Sequence, residues 1–191
     1  MFRRKLNKIS DEDLVEVIVK EKKHEHFGIL YDRYSEKVYH KCISFVHDAE
    51  LAQDLAHDVF LKTFVNLSKF ESRSKFSTWL YSLTYNFCID YLRKNNKYIM
   101  ENDDQLHQFP DIDEEATERE LLSMEALRLK KVLEIIPHAD KMILLMKYQD
   151  ELSIKDIMEG LNLSESAVKM RVKRAKLKAL ETYKELFKNE G

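Results

Sequence analysis

The chain has 191 residues, which is enough for one medium domain or two small ones. Three Gly and two Pro, against many Leu, Lys and Glu, favour an all-α fold. The formal net charge of −2 excludes DNA binding through overall charge, so a DNA-binding surface would have to come from segregated charge.

Two further features concern the environment of the protein. Cys42 and Cys88 lack CxxC spacing, which predicts buried thiols in a reducing cytosol. No stretch approaches the roughly 18 consecutive apolar residues of a transmembrane helix, and no signal peptide precedes the first charged residues. We therefore expect a soluble, cytoplasmic protein without membrane insertion.

The N-terminal half predicts four helices. The first opens at Ser10 to Asp13, which has the form of a capping box. The second runs from about Glu25 to Val46, with apolar positions at Phe27, Leu30, Tyr31, Tyr34, Val38 and Tyr39. Asp48 can cap a third, with apolar positions at Leu51, Leu55, Val59, Phe60, Phe64 and Leu67. A polar loop from Ser68 to Lys75 then precedes a fourth helix, Phe76 to Lys94, which is dense in aromatic residues.

An acidic segment separates the two halves. From Glu101 to Glu120 it holds nine Asp or Glu against one Arg, with Pro110 in its middle. Low hydrophobicity and like-charge repulsion predict a flexible linker, either an inert tether or a functional strand. Helix is expected to resume at about Thr117, which begins a capping-box pattern.

The C-terminal half predicts a helix-turn-helix. Ser153 to Asp156 fits a capping box, and Gly160 to Leu163 supplies the turn between the helices. Ser164 caps a second helix, in which Val168, Val172, Ala175 and Ala179 form one apolar stripe. Six Lys or Arg and no acid lie between Ala167 and Leu180. The pattern indicates a DNA-reading helix, and the plainer interpretation is a solvated basic helix at the end of a bundle.

Motifs in both halves resemble one family. The segment from Ile136 to Leu180 is similar to the minus-thirty-five-binding domain of bacterial RNA polymerase sigma factors, and most similar to the extracytoplasmic-function (ECF) subfamily. Trp79-Leu80-Tyr81, Asn86, Asp90 and Leu92-Arg93 match the W-L-Y-x-x-x-x-N-x-x-x-D-x-L-R pattern of that family. The segment from Phe27 to Tyr34 resembles the start of the same sigma domain, and Asp54 to Lys62 resembles its polymerase-binding helix.

The chain departs from the family pattern at a few positions. His57-Asp58 replaces the usual Gln-Glu, and Met158 replaces the Ala of Glu-Ile-Ala. Ala167 stands in place of Thr, and Lys141 in place of Arg. These departures lie within the two segments that resemble the polymerase-binding helix and the minus-thirty-five-binding domain.

The resemblance implies two domains, residues 1–98 and 125–191, joined by a linker of residues 99–124 that threads a polymerase channel. It implies contacts to core polymerase from Asp54, His57, Asp58, Phe60 and Lys62. Contacts to the minus-ten element would come from Lys69, Phe70, Arg73, Ser74, Lys75, Phe76, Trp79 and Asn86. Contacts to the minus-thirty-five element would come from Ser164, Ser166, Lys169, Met170, Arg171, Lys173, Arg174 and Lys178. The implied partners are core RNA polymerase, promoter DNA and an anti-sigma factor.

Other functions explain less of the sequence. A helix-turn-helix regulator that dimerises on palindromic DNA fits the C-terminal half equally well, but leaves the helix from Trp79 to Arg93 unexplained. His57-Asp58 also suits a metal-dependent phosphohydrolase, and Glu21-x-x-His24 is one copy of a di-iron half-site, but neither has convincing further ligands. There is no Gly-rich phosphate loop, GxSxG or HExxH motif. We therefore expect a non-enzymatic protein without metal or cofactor.

Overall fold

A computed structural model describes residues 9–95 and 114–188, and these form two compact units that largely coincide with the two halves of the chain. The N-terminal unit contains α1 (Asp11–Lys20), α2 (Phe27–Val46), α3 (Ala49–Asn66) and α4 (Phe76–Lys94). The C-terminal unit contains α5 (Glu114–Leu122), α6 (Ala126–Ile135), α7 (His138–Leu144), α8 (Ile154–Leu161) and α9 (Glu165–Leu186). Helical turns at His24–His26, Leu67–Lys69 and Leu145–Gln149 complete the regular structure of the described residues, which include no strand. The predicted all-α fold is confirmed.

The predicted helix starts in the N-terminal unit are set by local capping. The Ser10 hydroxyl accepts a hydrogen bond from the Asp13 N–H at 3.1 Å, and the Asp48 carboxylate accepts one from the Leu51 N–H at 3.0 Å. Each bond satisfies a backbone donor that the first turn of a helix leaves without a partner.

The core of the N-terminal unit lies among α2, α3 and α4. Leu30, Val38, Val59 and Leu80 are completely shielded from solvent. The predicted apolar face of α2 is wrong at Tyr31, which is 42% exposed. The buried stripe of α2 instead includes Ile29, Leu30, Tyr34, Val38, Cys42 and Phe45.

The two cysteines lie within this core, as predicted. Cys42 on α2 and Cys88 on α4 are fully buried free thiols, and their Sγ atoms are 3.7 Å apart. The hydrogen bond with Cys42, together with burial, raises the pKa of the Cys88 thiol far above its usual range. Both side chains therefore act as small apolar groups in the contact between the two helices.

Acidic residues at the start of α1 connect it to α2 and α4. Asp11 accepts hydrogen bonds from Arg33 and from the Tyr34 hydroxyl, both on α2. Burial and the hydrogen bond to Asp11 raise the pKa of Tyr34. Glu12 accepts a hydrogen bond from the Phe76 N–H at 2.7 Å. Because Lys75, the residue before α4, makes no capping bond of its own, Glu12 serves as the cap of α4 from a distant part of the chain.

The predicted linker of residues 99–124 contains a folded segment. Helix α5 begins at Glu114, three residues before the predicted start at Thr117, so Thr117 lies inside the helix rather than at its N-cap. Thr117 and Leu121 are buried where α5 packs on α9. The carboxylate of Glu118 accepts hydrogen bonds from the Tyr148 hydroxyl at 3.1 Å and from the Lys176 ammonium at 3.3 Å. The remainder of the predicted linker, residues 99–113, lies outside the described residues.

Helices α6 to α9 supply the core of the C-terminal unit. Val132, Met146, Ile157 and Val168 are completely buried. Lys141 on α7 is also buried, and loss of hydration lowers its pKa despite the opposing effect of Glu134. In neither described range, 9–95 or 114–188, is a helix both long and apolar enough to cross a bilayer.

Glu12→Ala is expected to lower the free energy of unfolding of the N-terminal unit by about 0.5–2 kcal/mol, because α4 loses its capping acceptor. Glu12→Gln keeps an acceptor oxygen and should lose less. Urea unfolding followed by the fluorescence of Trp79, which is the single Trp of the chain, measures both effects.

Glu16→Ala is the matched control for this pair. Glu16 is exposed on the same helix and pairs with Lys20 at the surface, so its removal should change stability by less than about 0.5 kcal/mol. Equal losses for the Glu12 and Glu16 variants would refute the capping role.

Candidate nucleic-acid and polymerase interfaces

Helix α3 presents the charged face that the sequence predicted for polymerase binding. Asp54, His57, Asp58 and Lys62 are all exposed. They recur at three- and four-residue intervals, so they share one side of the helix. The opposite side is buried through Ala52, Leu55, Ala56, Val59, Phe60 and Thr63.

Phe60 does not belong to the charged face of α3. It is 4% exposed, and its ring packs against Tyr31 at 4.7 Å and Phe27 at 6.4 Å between centroids. We therefore correct its predicted role: Phe60 supports the surface from below.

The exposed face of α3 continues into an apolar surface that the sequence analysis missed. Leu61 and Val65 are 54% and 74% exposed, and Phe64, which was predicted as an apolar core position, is 38% exposed. Beside them, an open cleft of about 340 Å³ lies between α2 and α3 and is lined mainly by the rings of Phe27, Tyr31, Phe60 and Phe64. The sequence could have predicted this exposure. Leu61 and Val65 follow Asp54 and Asp58 at three- and four-residue intervals, which places them on the exposed side of α3 rather than on its buried stripe.

His57 lies at the rim of this cleft, which His24 also lines. Within the described parts of the chain, no three His, Cys, Asp or Glu side chains come together as a metal ion would require. His57 and Asp58 themselves are exposed on the surface of α3.

The loop before α4 places three cations beside an aromatic cluster. Lys69, Arg73 and Lys75 are exposed, and Arg73 pairs with Glu71. The half-buried ring of Phe70 lies 5.6 Å from the ring of Trp79, measured between centroids. The loop thus combines two partly exposed aromatic rings with three exposed cations that are near them in sequence.

The other predicted minus-ten residues differ in their exposure. Asn86 is exposed and Ser74 is half-buried, whereas Phe76 is 1% exposed. The ring of Phe76 is enclosed by Tyr34, Phe70 and Trp79. The prediction that Phe76 contacts DNA is therefore corrected, because the ring is core and positions the two aromatic side chains above it.

The helix-turn-helix forms as the sequence predicted. The Ser153 hydroxyl accepts from the Asp156 N–H at 3.1 Å, and the Asp156 carboxylate accepts from the Ser153 N–H at 3.0 Å, which completes the capping box. Asn162 ends α8 in the left-handed conformation, with φ of 53°. Ser164 caps α9 by accepting from the Ala167 N–H at 3.3 Å.

Helix α9 has an exposed half and an enclosed half. In the exposed half, Glu165 to Arg174, only Val168 and Val172 are buried. In the enclosed half, Ala175 to Thr182, buried positions cover most of the circumference of the helix and include Lys176, Leu177 and Leu180, whereas Lys178 is half-buried and Glu181 is exposed. Helices α5, α6 and α7 pack against α9 and account for this enclosure. The first two to three turns of α9 therefore present the larger exposed surface.

The cations of the exposed half differ in what they already bind. Lys169 is exposed and pairs with Glu165 at 2.7 Å, and this hydrogen bond raises the pKa of Lys169 and lowers that of Glu165. Arg174 is only 26% exposed and pairs with the buried carboxylate of Asp140 at 3.4 Å. Ser164 and Ser166 are exposed, whereas Arg171 and Lys173 are half-buried, as is Lys178 in the enclosed half.

Comparison with known proteins identifies the chain. Residues 30–98 match the family Sigma-70 region 2, and residues 126–178 match Sigma-70, region 4. The ECF RNA polymerase sigma factor SigW of Bacillus subtilis (strain 168) is 30% identical over 167 residues, which are 83% of this chain and 89% of SigW. The chain belongs to the ECF sigma factors of RNA polymerase. It is thus a promoter-recognising factor of transcription initiation.

Other comparisons agree with this sigma factor assignment. The ECF RNA polymerase sigma factor SigX of the same organism is 28% identical over 173 residues, covering 87% of each chain. The fold resembles CnrH in its complex with the cytosolic domain of CnrY, with a TM-score of 0.61, 20% identity and coverage of 90% of this chain and 95% of CnrH. It also resembles RpoE in its complex with the anti-sigma factor NepR from Bartonella quintana, with a TM-score of 0.56, 20% identity and coverage of 87% and 98%. The two structures show a shared fold.

Arg174→Ala is expected to destabilise the C-terminal unit of the sigma factor by about 1–3 kcal/mol, because the buried Asp140 carboxylate loses a cation. Native-state hydrogen exchange of the α7 and α9 amides measures this loss.

Lys169→Ala serves as the matched control, since its pair with Glu165 is exposed and its removal should leave the exchange of these amides unchanged. Unchanged exchange in the Arg174 variant would mean that its contact with Asp140 contributes nothing to the fold.

Proposed function

We propose that this sigma factor acts through three surfaces: the exposed face of α3 binds core polymerase, the loop before α4 captures the opened minus-ten element, and the exposed half of α9 reads the minus-thirty-five element. The observation that carries the proposal is the division of α9. A basic, capped helix with one end enclosed and the other exposed suits insertion of its N-terminal turns into a major groove.

The polymerase surface combines charge with apolar area. Asp54 and Asp58 form its acidic part, with His57 and Lys62 beside them, and Leu61 and Val65 extend it. Exposed apolar side chains next to charged ones are typical of protein interfaces, in which an apolar centre is surrounded by a polar rim. This mixture supports a protein partner for α3 rather than a nucleic acid, since two carboxylates would repel phosphates.

The minus-ten surface has the chemistry that capture of an unpaired base requires. Phe70 and Trp79 present partly exposed rings, and Lys69, Arg73 and Lys75 lie close by in sequence. Stacking on an aromatic ring stabilises an unstacked base, and cations hold the phosphates of the displaced strand. Asn86, exposed further along α4, is proposed as a polar contact to the same element.

On the minus-thirty-five surface, some residues are proposed to position the domain on the DNA and others to read the base sequence. Arg171 and Lys178 are proposed as phosphate contacts, which fix the register of the domain without reading sequence. Ser166, Lys169, Met170 and Lys173 are proposed to face base edges. Arg174, which holds Asp140, is assigned to the stability of the fold as well as to phosphate.

We further propose that an anti-sigma factor holds this protein inactive in the cytoplasm by covering the apolar surface of Tyr31, Leu61 and Val65. The exposure of these side chains supports the proposal, because solvent-exposed apolar patches mark sites of protein association. RpoE was solved in complex with the anti-sigma factor NepR, and CnrH in complex with the cytosolic domain of CnrY. We propose no catalytic activity for the chain itself.

The decisive experiment is co-purification with core RNA polymerase followed by run-off transcription on genomic fragments. Discrete transcripts that require this chain support the proposal. Binding of the isolated protein to palindromic DNA as a dimer, without association with polymerase, would instead favour a helix-turn-helix regulator.

Asp58→Arg is expected to abolish association with core polymerase while the chain remains folded, because it reverses a charge at the centre of the exposed α3 face. Co-purification measures binding, and circular dichroism checks that the helices persist. Glu36→Arg makes the same change at an exposed position on α2, where the side chain is 89% exposed, and should bind normally. Normal binding by a folded Asp58 variant contradicts the assignment of α3.

Replacement of Lys69, Arg73 and Lys75 by Gln is expected to leave polymerase binding intact but to prevent opening of duplex promoters. Gln is chosen because Ser at position 75 would add a cap to α4. A template with a pre-melted minus-ten region removes the cost of unstacking, on the order of a few kcal/mol, and should restore transcription at least in part.

A triple Gln variant at Lys20, Lys22 and Lys37 carries the same change in net charge at exposed positions of the N-terminal unit and should transcribe duplex promoters normally. Full activity of the loop variant on ordinary duplex DNA would show that the loop only connects helices.

A further inference from the structure

Met170 stands apart from its neighbours on the exposed half of α9. It is 52% exposed, and Leu186 is the other large apolar side chain that this helix exposes along its described length. With about 100° per residue, Met170 lies roughly 180° from the buried stripe of Val168, Val172 and Ala175. It therefore projects away from the body of the C-terminal unit, where the helix would reach deepest into a groove.

The residues around Met170 are polar, but the immediate surface is less charged than its sequence suggests. Ser166 lies one turn before Met170 and Lys173 one turn after it, so their polar groups flank its thioether. The neighbouring Lys169 ammonium is held by Glu165 at 2.7 Å. The centre of the surface thus presents an apolar group, with hydrogen-bonding groups on either side.

The chemistry of the major groove offers one counterpart to such a group. Base edges there carry hydrogen-bond donors and acceptors, and the C5 methyl of thymine is the one apolar substituent. Met has an unbranched side chain with three rotatable bonds, so it can adapt its position to reach a methyl group.

We propose that Met170 reads a thymine in the minus-thirty-five element by packing against its C5 methyl group. The inference rests on the proposed function, since it takes the exposed half of α9 as the surface that enters the groove. It goes further by assigning the base type and the atom that one side chain recognises.

The test uses the full chain bound to core polymerase and a promoter fragment that supports run-off transcription. Each thymine of the minus-thirty-five element, on either strand, is replaced in turn by deoxyuridine, which pairs identically and lacks only the methyl group. Competition binding of the wild-type holoenzyme should weaken by about fourfold at one position, the effect of exposing one buried methyl group.

Two variants separate Met170 from other contacts. Met170→Ala should bind the unmodified promoter less tightly and lose its sensitivity to deoxyuridine at that position. Met170→Leu keeps an apolar side chain and should retain the sensitivity. Leu186→Ala, the matched control on the same helix, should behave as the wild type at every position.

Wild-type binding that is insensitive to deoxyuridine at every position would overturn the proposal. The proposal would also fail if the minus-thirty-five element contained no A·T pairs. It would fail as well if the Met170→Ala holoenzyme were as sensitive to deoxyuridine as the wild type. In these three cases promoter selection itself persists, so the proposed function stands while the role of Met170 fails. A wild-type holoenzyme that selects no promoter would instead overturn both.

Discussion

A single helix of the C-terminal unit has to serve as both core and surface, and this constraint shapes the unit around it. Helix α9 contains 22 residues, and from Ala175 to Thr182 most of its circumference is buried. Such burial is possible for a basic segment only because Lys176 meets the carboxylate of Glu118, since a buried charge without a partner would cost several kcal/mol. Helix α5, at the end of an acidic segment, supplies that carboxylate. The buried turns of α9, packed against α5, thereby fix the position of its exposed turns.

In the N-terminal unit, two acidic residues of the shortest helix, α1, hold the other helices in place. Asp11 joins α1 to Arg33 and Tyr34 of α2, and Glu12 caps α4. The aromatic cluster of Phe70, Phe76 and Trp79 lies at the start of α4. The position of the loop before α4 thus depends on a carboxylate from a distant part of the chain.

Local signals in the sequence predicted much of this structure. The caps at Ser10, Asp48, Ser153 and Ser164 depend on atoms within three residues of one another, so a single sequence suffices to find them. The buried stripe of α9 follows in the same way from helical periodicity.

Interactions between distant segments are what the sequence could not supply. Glu12 and Phe76 are 64 residues apart, and Glu118 and Lys176 are 58 residues apart. In the sequence, Glu118 was one of the acidic residues of the predicted linker. In the structure it pairs with Lys176 and stabilises the packing of α5. Phe60 and Phe76 lie within motifs whose neighbours are exposed, so spacing along the chain did not reveal that their rings are core. The sequence predicted Arg174 as a contact to the minus-thirty-five element, but its pairing with Asp140 depends on how α7 packs.

The buried pair of Cys42 and Cys88 has a practical consequence. Both cysteines of the chain belong to the N-terminal unit, and neither sulfur is accessible while α2 and α4 remain packed. A thiol-specific reagent can therefore label the protein only when that unit opens, and the rate of labelling reports the frequency of this opening. The C-terminal unit contributes no signal, because it has no cysteine. The native sequence thus carries a reporter of one domain, and a partner that clamps this domain can be detected without an engineered label.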